Sequence, residues 1–522
     1  MLFTSKEAVH PHSGPWKAMQ QKGGLVMMHA WNVLTAIALA IVATPLVVRL
    51  ARRFKVVDKP GLRKVHTQPI PRIGGLAIAV AVVGDFAFCV IPNSASSLSE
   101  HWPALAALAS GALLMFAIGL VDDVFTLSAK IKLLGQLLAA SIVAGCGIRV
   151  NVFCEFGPAL AWLDWPATVF WIVIITNAIN LIDGLDALAA GISAIAASVM
   201  VVFALHYNLV LLAAVNIALL GALAGFLLFN MHPARIFLGD SGTYFIGFLL
   251  AGGSCMGATQ TRSPLPLGLL ALALGVPILD VLFSILRRML QRRSVFASDM
   301  NHIHHRLLRL GLAHPRVVLV LHGASCLAAL AAVVVLKTTG IYPLLAPLLA
   351  AAALLAIFRV AGAIRLKESL EALTTNLRIS RQNKLDRRRF EEAQLRMMQA
   401  KGFYGWWRTL CMLAGNLGVK QVSLLVLSSR GDERLLTWHN PVPCRAGTMR
   451  VILPRSEAAW LELQAEVSLD PCLEIAGQRV ALFNRLLEDF SLHMIFWQNL
   501  RAQRSPKPPR AVARRLALKE SA

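Results

Sequence analysis

Charge is scarce in this chain. Asp, Glu, Lys and Arg make up 15% of its 522 residues, where a soluble globular domain carries about 25%. The charge present is mostly of one sign, with 51 Lys and Arg against 28 Asp and Glu and a net charge of +23. No stripe of bases interleaved with aromatics accompanies it, so nucleic acid is excluded as a partner. The eight cysteines (Cys89, Cys146, Cys154, Cys255, Cys326, Cys411, Cys444 and Cys472) include no CxxC pair, which excludes a zinc ribbon or dithiol redox motif. Cys146 and Cys154 are near enough in sequence to bridge if their loop faces an oxidising space. The first ~28 residues lack a signal-peptide cleavage pattern, and Met27 or Met28 is an alternative start. Internal repeats are absent, which argues against a transporter built from inverted halves.

Apolar residues fill the gap. They make up 57% of the chain, with a mean hydropathy of +0.62, and they come in blocks long enough to cross a bilayer. Spans are expected near 30–50, 73–92, 104–121, 133–150, 165–180, 186–206, 208–229, 243–259, 265–286, 317–337 and 341–360. The loops on one side hold Arg49, Arg52, Arg53, Lys55, Lys59, Arg63, Lys64, Arg72, Lys130, Lys132, Arg235, Arg287, Arg288, Arg292, Arg293, Arg306, Arg309 and Arg316, while the opposite loops hold Arg149, Arg262 and Lys337. The positive-inside rule therefore places the N-terminus outside and the C-terminus in the cytoplasm. The expected fold is an all-α polytopic membrane protein of about eleven transmembrane helices with a small cytosolic α/β C-terminal domain. Its divisions are an N-terminal segment 1–29, a membrane domain 30–360, a helical stalk 361–400, a cytosolic domain 401–500 and a basic disordered tail 501–522.

Five polar clusters interrupt the apolar blocks, and all fall on the expected cytoplasmic side. Charge next to a membrane segment costs about 2.5–3.5 kcal/mol on insertion scales, so each cluster calls for a reason. Asp58–Gly75 (DKPGLRKVHTQPIPRIGG) is a Pro/Gly-stiffened cationic loop with Lys64 and His66. Its plain reading is a positive-inside anchor, which leaves the Pro/Gly pattern unexplained. In Gly119–Lys132, Asp122 and Asp123 stand side by side and repel unless a proton or cation intervenes. They suit a metal or base role, although a lone DD pair at a helix end means little, and Lys130 nearby suits a phosphate. In Asn177–Gly191, Asp183 and Asp186 share a helical face, with Asn177 and Asn180 adding amides. Asp240, flanked by Gly239 and Gly242 in GDSG, offers the hard oxygen that Mg²⁺ prefers, or simply an N-cap. The fifth, Ser298–Gly311, holds His302, His304, His305 and Arg306. Three His within four residues fit a single zinc ion poorly, and diphosphate or nucleobase contacts suit them better.

As a set and in this order, DKPGxRKxHxxPxPRxGG, DDxxxxxxK, NxxNxxDGLD, GDSG and HIHH resemble the polyprenyl-phosphate N-acetylhexosamine-1-phosphate transferase superfamily over residues 31–360. The His302-Ile303-His304-His305 form is similar to its N-acetylglucosamine branch. Ala187 stands where that family usually has Gly, and Thr243 where Ser is common. The resemblance implies a UDP-N-acetylhexosamine donor, an undecaprenyl phosphate acceptor and Mg²⁺, with Mn²⁺ as a substitute. By motif, Asp122 and Asp123 would be catalytic and Asp240 would bind the metal. Lys130, Asn180, Asp183 and Asp186 would line the uridine and phosphate site, with Lys64 and His66 also binding substrate. His302, His304, His305 and Arg306 would meet the sugar diphosphate. The implied setting is the inner membrane, at the first membrane step of a cell-surface polysaccharide. A homodimer and glycosyltransferase partners recruited by the C-terminal domain are compatible with it. A muramoyl-pentapeptide-type transferase and a transporter are the competing readings.

Overall fold

The structure, a computed structural model, describes residues 15–58, 69–91, 95–290, 301–362, 366–400, 402–427, 433–441, 448–452, 461–468 and 473–489. Lys64, His66 and the tail after 489 lie outside the described residues. The chain divides into two compact units, Met1–Leu366 and Lys367–Ala522.

The first unit is helical. In chain order it contains α1 Pro15–Arg53, α2 Gly75–Asp85, which runs on into a π-helical stretch Phe86–Val90, α3 Ala95–Phe125, α4 Ala129–Gly145, α5 Asp164–Ile182, α6 Leu188–His206 and α7 Val210–Asn230. After them come α8 Gly239–Thr261, α9 Leu265–Ala273, α10 Gly275–Leu290, α11 Ile303–Arg309, α12 His314–Lys337 and α13 Tyr342–Val360. Two-residue strands β1 Val57–Asp58 and β2 Ile70–Pro71 pair antiparallel. Among the described residues, seven helices are long and apolar enough to cross a membrane, or eight if α9 and α10, bent by 80°, count as one span. The expected eleven are not all matched. Gly75–Val90 is a shorter apolar helix, α4 has 17 residues, and α8 is rich in Gly, Ser and Thr.

The centre of this unit is α8. It is buried from Ser241 to Ala258 and packs chiefly on α3 and α5, while α1 lies on α7. Small residues make this possible: a Cβ at Gly119 would stand 2.5 Å from the Asp240 carbonyl and the Ser241 backbone, and Gly75 abuts Gly242 directly. Backbone therefore meets backbone where α2, α3 and α8 cross. Large apolar side chains point outward instead, as with Leu134, Leu344 and Leu349, because a bilayer accepts what water would reject.

Cys146 and Cys154, near enough in sequence to bridge, are both free and exposed. Their loop is organised by a carboxylate instead. Asp164 accepts amide hydrogen bonds from Val152, Phe153 and Cys154 at 2.9, 2.9 and 3.0 Å.

The second unit contains α14 Leu366–Gln399, α15 Gly402–Asn416, α16 Leu473–Asp489 and an antiparallel sheet ordered β4-β3-β6-β5, from β3 Val419–Leu427, β4 Glu433–His439, β5 Thr448–Ile452 and β6 Leu461–Ser468. Helix α14, expected as a stalk, contributes Phe390, Ala393 and Met397 to a core with Trp406, Val422 and Phe483. A buried ion pair, Arg479 Nε to Asp386 Oδ2 at 2.9 Å, joins α16 to α14.

Candidate active site

The first turn of α8 is where the acids converge. Residues 71–75 and 237–239 are zipped by backbone hydrogen bonds, from Phe237 N to Pro71 O at 2.8 Å, Gly74 N to Phe237 O at 3.0 Å and Gly75 N to Leu238 O at 2.9 Å. Gly239 then turns with φ +76°, close against the Arg72 carbonyl and the Asp123 carboxylate, a conformation that favours glycine. The first amides of a helix lack internal partners. Asp123 satisfies them: its carboxylate accepts from Asp240 N at 2.9 Å, Ser241 N at 3.0 Å and Ser241 Oγ at 2.7 Å. Arg72 Nε lies 3.6 Å from the same carboxylate. Asp123 thus fixes α8, and with it Asp240, relative to α3.

Asp122 faces a different partner. Its Oδ1 accepts the Leu127 amide at 2.5 Å, and its Oδ2 lies 2.6 Å from Lys132 Nζ. Lys132 also reaches Asp240 Oδ2 at 2.9 Å. Lys132, rather than the exposed Lys130, therefore stands between the two acids. Side-chain exposure separates the three carboxylates, at 1% for Asp123, 5% for Asp122 and 26% for Asp240. Asp240 is the one open to an incoming ligand.

Asp183 caps the C-terminus of α5, and Asn180, one turn earlier, donates to Thr243 Oγ1 at 2.9 Å. Burial, then the charges of Asp240, Asp123 and Asp186, push the Asp183 carboxyl up to about 8. Among the described residues its side chain has no hydrogen-bond or ion-pair partner. Asp122, Asp123 and Asp240 thus gather at the start of α8, with Lys132 and Arg72 as the cations that contact them among the described residues, and Asp183 lies near enough to feel the charges of Asp240 and Asp123. Carboxylate oxygens crowded in excess of their cations are a donor set that fits a hard divalent ion, so the expected Mg²⁺ fits these residues.

A pH dependence follows. A carboxyl raised from its ordinary value binds its proton in the folded state, whereas the unfolded chain has released it. Metal-free stability is therefore expected to fall as pH rises from about 4 to about 8. Thermal unfolding in EDTA across that range should show the decline, and Asp183→Asn should flatten it. An unchanged slope in Asp183→Asn would remove Asp183 as its source.

The HIHH cluster divides by partner. His302 Nδ1 lies 2.8 Å from Asp280 Oδ2, and Asp280 Oδ1 accepts the Ile303 amide at 2.8 Å. His302 is thereby a fixture at the start of α11. His304 is buried, with both ring nitrogens unpartnered among the described residues, and packs against Gly184 beside Asp183. Burial and then its neighbours His305, His302 and His314 push it down to about 3, so it is a neutral imidazole. His305 packs on His304 with ring centroids 4.3 Å apart. Arg306 donates to the Asn301 carbonyl at 2.8 Å and to the Gly362 carbonyl, which ties α11 to the end of α13. Asp186 lies 2.7 Å from His232 Nδ1 and accepts the Ala234 amide at 3.2 Å.

Sequence reasoning missed Lys132, Asp280, His232 and His314 as parts of this region. For Lys132 a sequence signal lay in Gln136, a polar residue one turn on along the same helical face of an otherwise apolar segment.

Known proteins converge on the same region. The profile of glycosyl transferase family 4 matches residues 105–258. A probable undecaprenyl-phosphate N-acetylglucosaminyl 1-phosphate transferase of Bacillus subtilis is 37% identical over 312 residues, covering 59% of this chain and 84% of that protein. The chain belongs to glycosyl transferase family 4. A decaprenyl-phosphate N-acetylglucosaminephosphotransferase of Mycobacterium tuberculosis is likewise 37% identical, over 55% of this chain and 78% of that protein. An undecaprenyl-phosphate alpha-N-acetylglucosaminyl 1-phosphate transferase of Yersinia pestis is 29% identical over 55% of this chain and 78% of that protein. This chain is therefore a membrane transferase, and neither the transporter nor the muramoyl-pentapeptide reading is favoured. The span matched by the family profile contains Asp122, Asp123, Lys132, Asp183 and Asp240.

Proposed function

We propose that this transferase moves N-acetylglucosamine 1-phosphate from UDP-N-acetylglucosamine to undecaprenyl phosphate. A lipid-phosphate oxygen bonds to the β-phosphorus, the bond from that phosphorus to the bridging oxygen breaks, and UMP leaves with the electron pair. The observation that carries this reading is the convergence of Asp122 and Asp240 on Lys132 at the first turn of α8, which Asp123 anchors, with Asp183 near enough to feel the charges of Asp240 and Asp123. Asp240, with Asp183 beside it, would hold Mg²⁺, and the bound ion supplies charge neutralisation for the diphosphate and the departing UMP. Lys132, held between Asp122 and Asp240, adds a cation at the same place. The last proton of a phosphate monoester leaves near pH 6, so the acceptor needs little help from a base. Both oxygens of Asp122 and of Asp123 already accept hydrogen bonds, which supports direct displacement over an aspartyl intermediate. His304 keeps a neutral donor and acceptor for the sugar diphosphate.

Counting Gly75–Val90, α4 and α8 with the eight spans restores eleven crossings. The basic loops then support a site at the cytoplasmic face of the inner membrane. Purified full-length protein should release UMP from UDP-N-acetylglucosamine only with undecaprenyl phosphate and Mg²⁺ both present. No UMP from any UDP-N-acetylhexosamine under those conditions would overturn the reading.

A further inference from the structure

Beside the acidic pocket, three elements bring together two imidazoles and a carboxylate that the proposed transfer leaves unused as a group. Asp186 sits in the turn after α5, His232 in the loop after α7, and His314 is the first residue of α12. One ligand atom from each lies within 4.8 Å of the other two. His232 Nδ1 is 2.7 Å from Asp186 Oδ2, and the two His rings stack with centroids 4.3 Å apart. The Asp186 amide donates to His314 Nε2 at 3.2 Å. The His314 nitrogen turned toward Asp186 is therefore unprotonated, and a metal bound there would take the lone pair that this amide now engages.

We propose that Asp186, His232 and His314 form a transition-metal site, distinct from the magnesium position at Asp240. Two imidazoles and one carboxylate are a donor set for Zn²⁺ or Co²⁺ rather than for Mg²⁺, which takes oxygen ligands and keeps its waters. Tetrahedral bonds of about 2.0–2.2 Å place ligand atoms ~3.3 Å apart; the 2.7 Å contact is shorter than that, and all three ligand atoms lie within 4.8 Å of one another. His232 is the adjustable member, since its side chain is 41% exposed. A small rotation opens the 2.7 Å contact and fans the stacked rings toward one ion. The zinc question raised by the HIHH motif thus moves elsewhere, because His302 is engaged with Asp280. A bound ion would pin the Asp183–Ala187 turn to the 230–236 loop and to the start of α12.

Equilibrium dialysis of purified full-length protein against CoCl₂, followed by visible absorption and displacement with ZnCl₂, tests the site without reference to turnover. One Co²⁺ per chain is expected, with a ligand-field spectrum that Zn²⁺ abolishes. His232→Ala and His314→Ala should each weaken binding at least about tenfold, while Asp240→Asn and His305→Ala leave it unchanged. His232→Gln, at an exposed position, serves if His314→Ala does not fold. Undiminished Co²⁺ binding in His232→Ala and His232→Gln, or no binding by the unaltered chain, would overturn the proposal. Loss of binding in Asp240→Asn alone would assign the ion to the acidic pocket instead. Either result leaves the UMP-release assay free to succeed or fail separately.

Discussion

Asp240→Asn is expected to lower kcat by about 10³-fold, equivalent to ~4 kcal/mol of transition-state stabilisation, without unfolding the protein. Of the three acids around Lys132 and the α8 amides, Asp240 is the most open, and it is held from behind by the Asp123 contact to its own amide. The amide side chain keeps the shape and loses the charge. Removing one negative charge from a crowded group also relieves repulsion, so the metal-free variant should unfold no earlier than the parent. Added Mg²⁺ raises the Tm of a protein that binds it only when folded. That rise should be present in the parent and absent in Asp240→Asn. Turnover within a few fold of the parent, or an intact Mg²⁺-induced rise, would remove Asp240 from the metal site.

Lys132→Ala should be nearly as damaging, by about 10²–10³-fold in kcat, and it should cost stability as well. Its ammonium lies 2.6 Å from Asp122 and 2.9 Å from Asp240. Removing it leaves two carboxylates facing each other with no shared cation. The cost is about 1–3 kcal/mol, less than for a fully buried pair because Lys132 is 23% exposed. Mg²⁺ should restore part of that stability but little of the rate. Lys130→Ala, at an exposed position in the same first turn of α4, should cost under about tenfold. Kinetics of the two purified variants, with unfolding curves at matched Mg²⁺, separate the cases. A larger defect in Lys130→Ala would return the phosphate role to that residue.

The contrast between these lysines shows what the sequence could and could not reveal. Acids at the ends of apolar blocks stand out, because a bilayer makes every charge conspicuous; Asp122, Asp123, Asp183 and Asp240 were legible for that reason. Lys130 and Lys132 are two residues apart, so a helix turns them to different sides, and choosing between them requires the phase of α4. In a water-soluble helix the large apolar residues mark the buried side. Here Ile131, Leu134 and Leu138 face outward, while Gln136, Ala139 and Ala140 face inward, so the usual rule selects the wrong side. The anchoring contacts of Asp123 were not legible for another reason. That three hydrogen bonds to the start of α8 occupy its carboxylate depends on a contact 118 residues away in the chain. The His232–Asp186–His314 arrangement is likewise a product of three distant segments. The span count differs for the same reason, since hydropathy alone does not distinguish a lipid-facing helix from one such as α8 that is walled in by protein.

Where α2 and α3 press on α8, the touching surfaces are main chain, at Gly75, Gly119 and Gly242. Side chains can repack to absorb a neighbour's change; polypeptide laid against polypeptide cannot. The alignment of Asp240 is therefore insulated from drift in the greasy exterior, which is free to vary with the thickness and composition of the host membrane. The same rigidity leaves the enzyme no cheap way to retune its acids by mutation nearby. Adaptation to new substrates would have to come through the loops around the pocket.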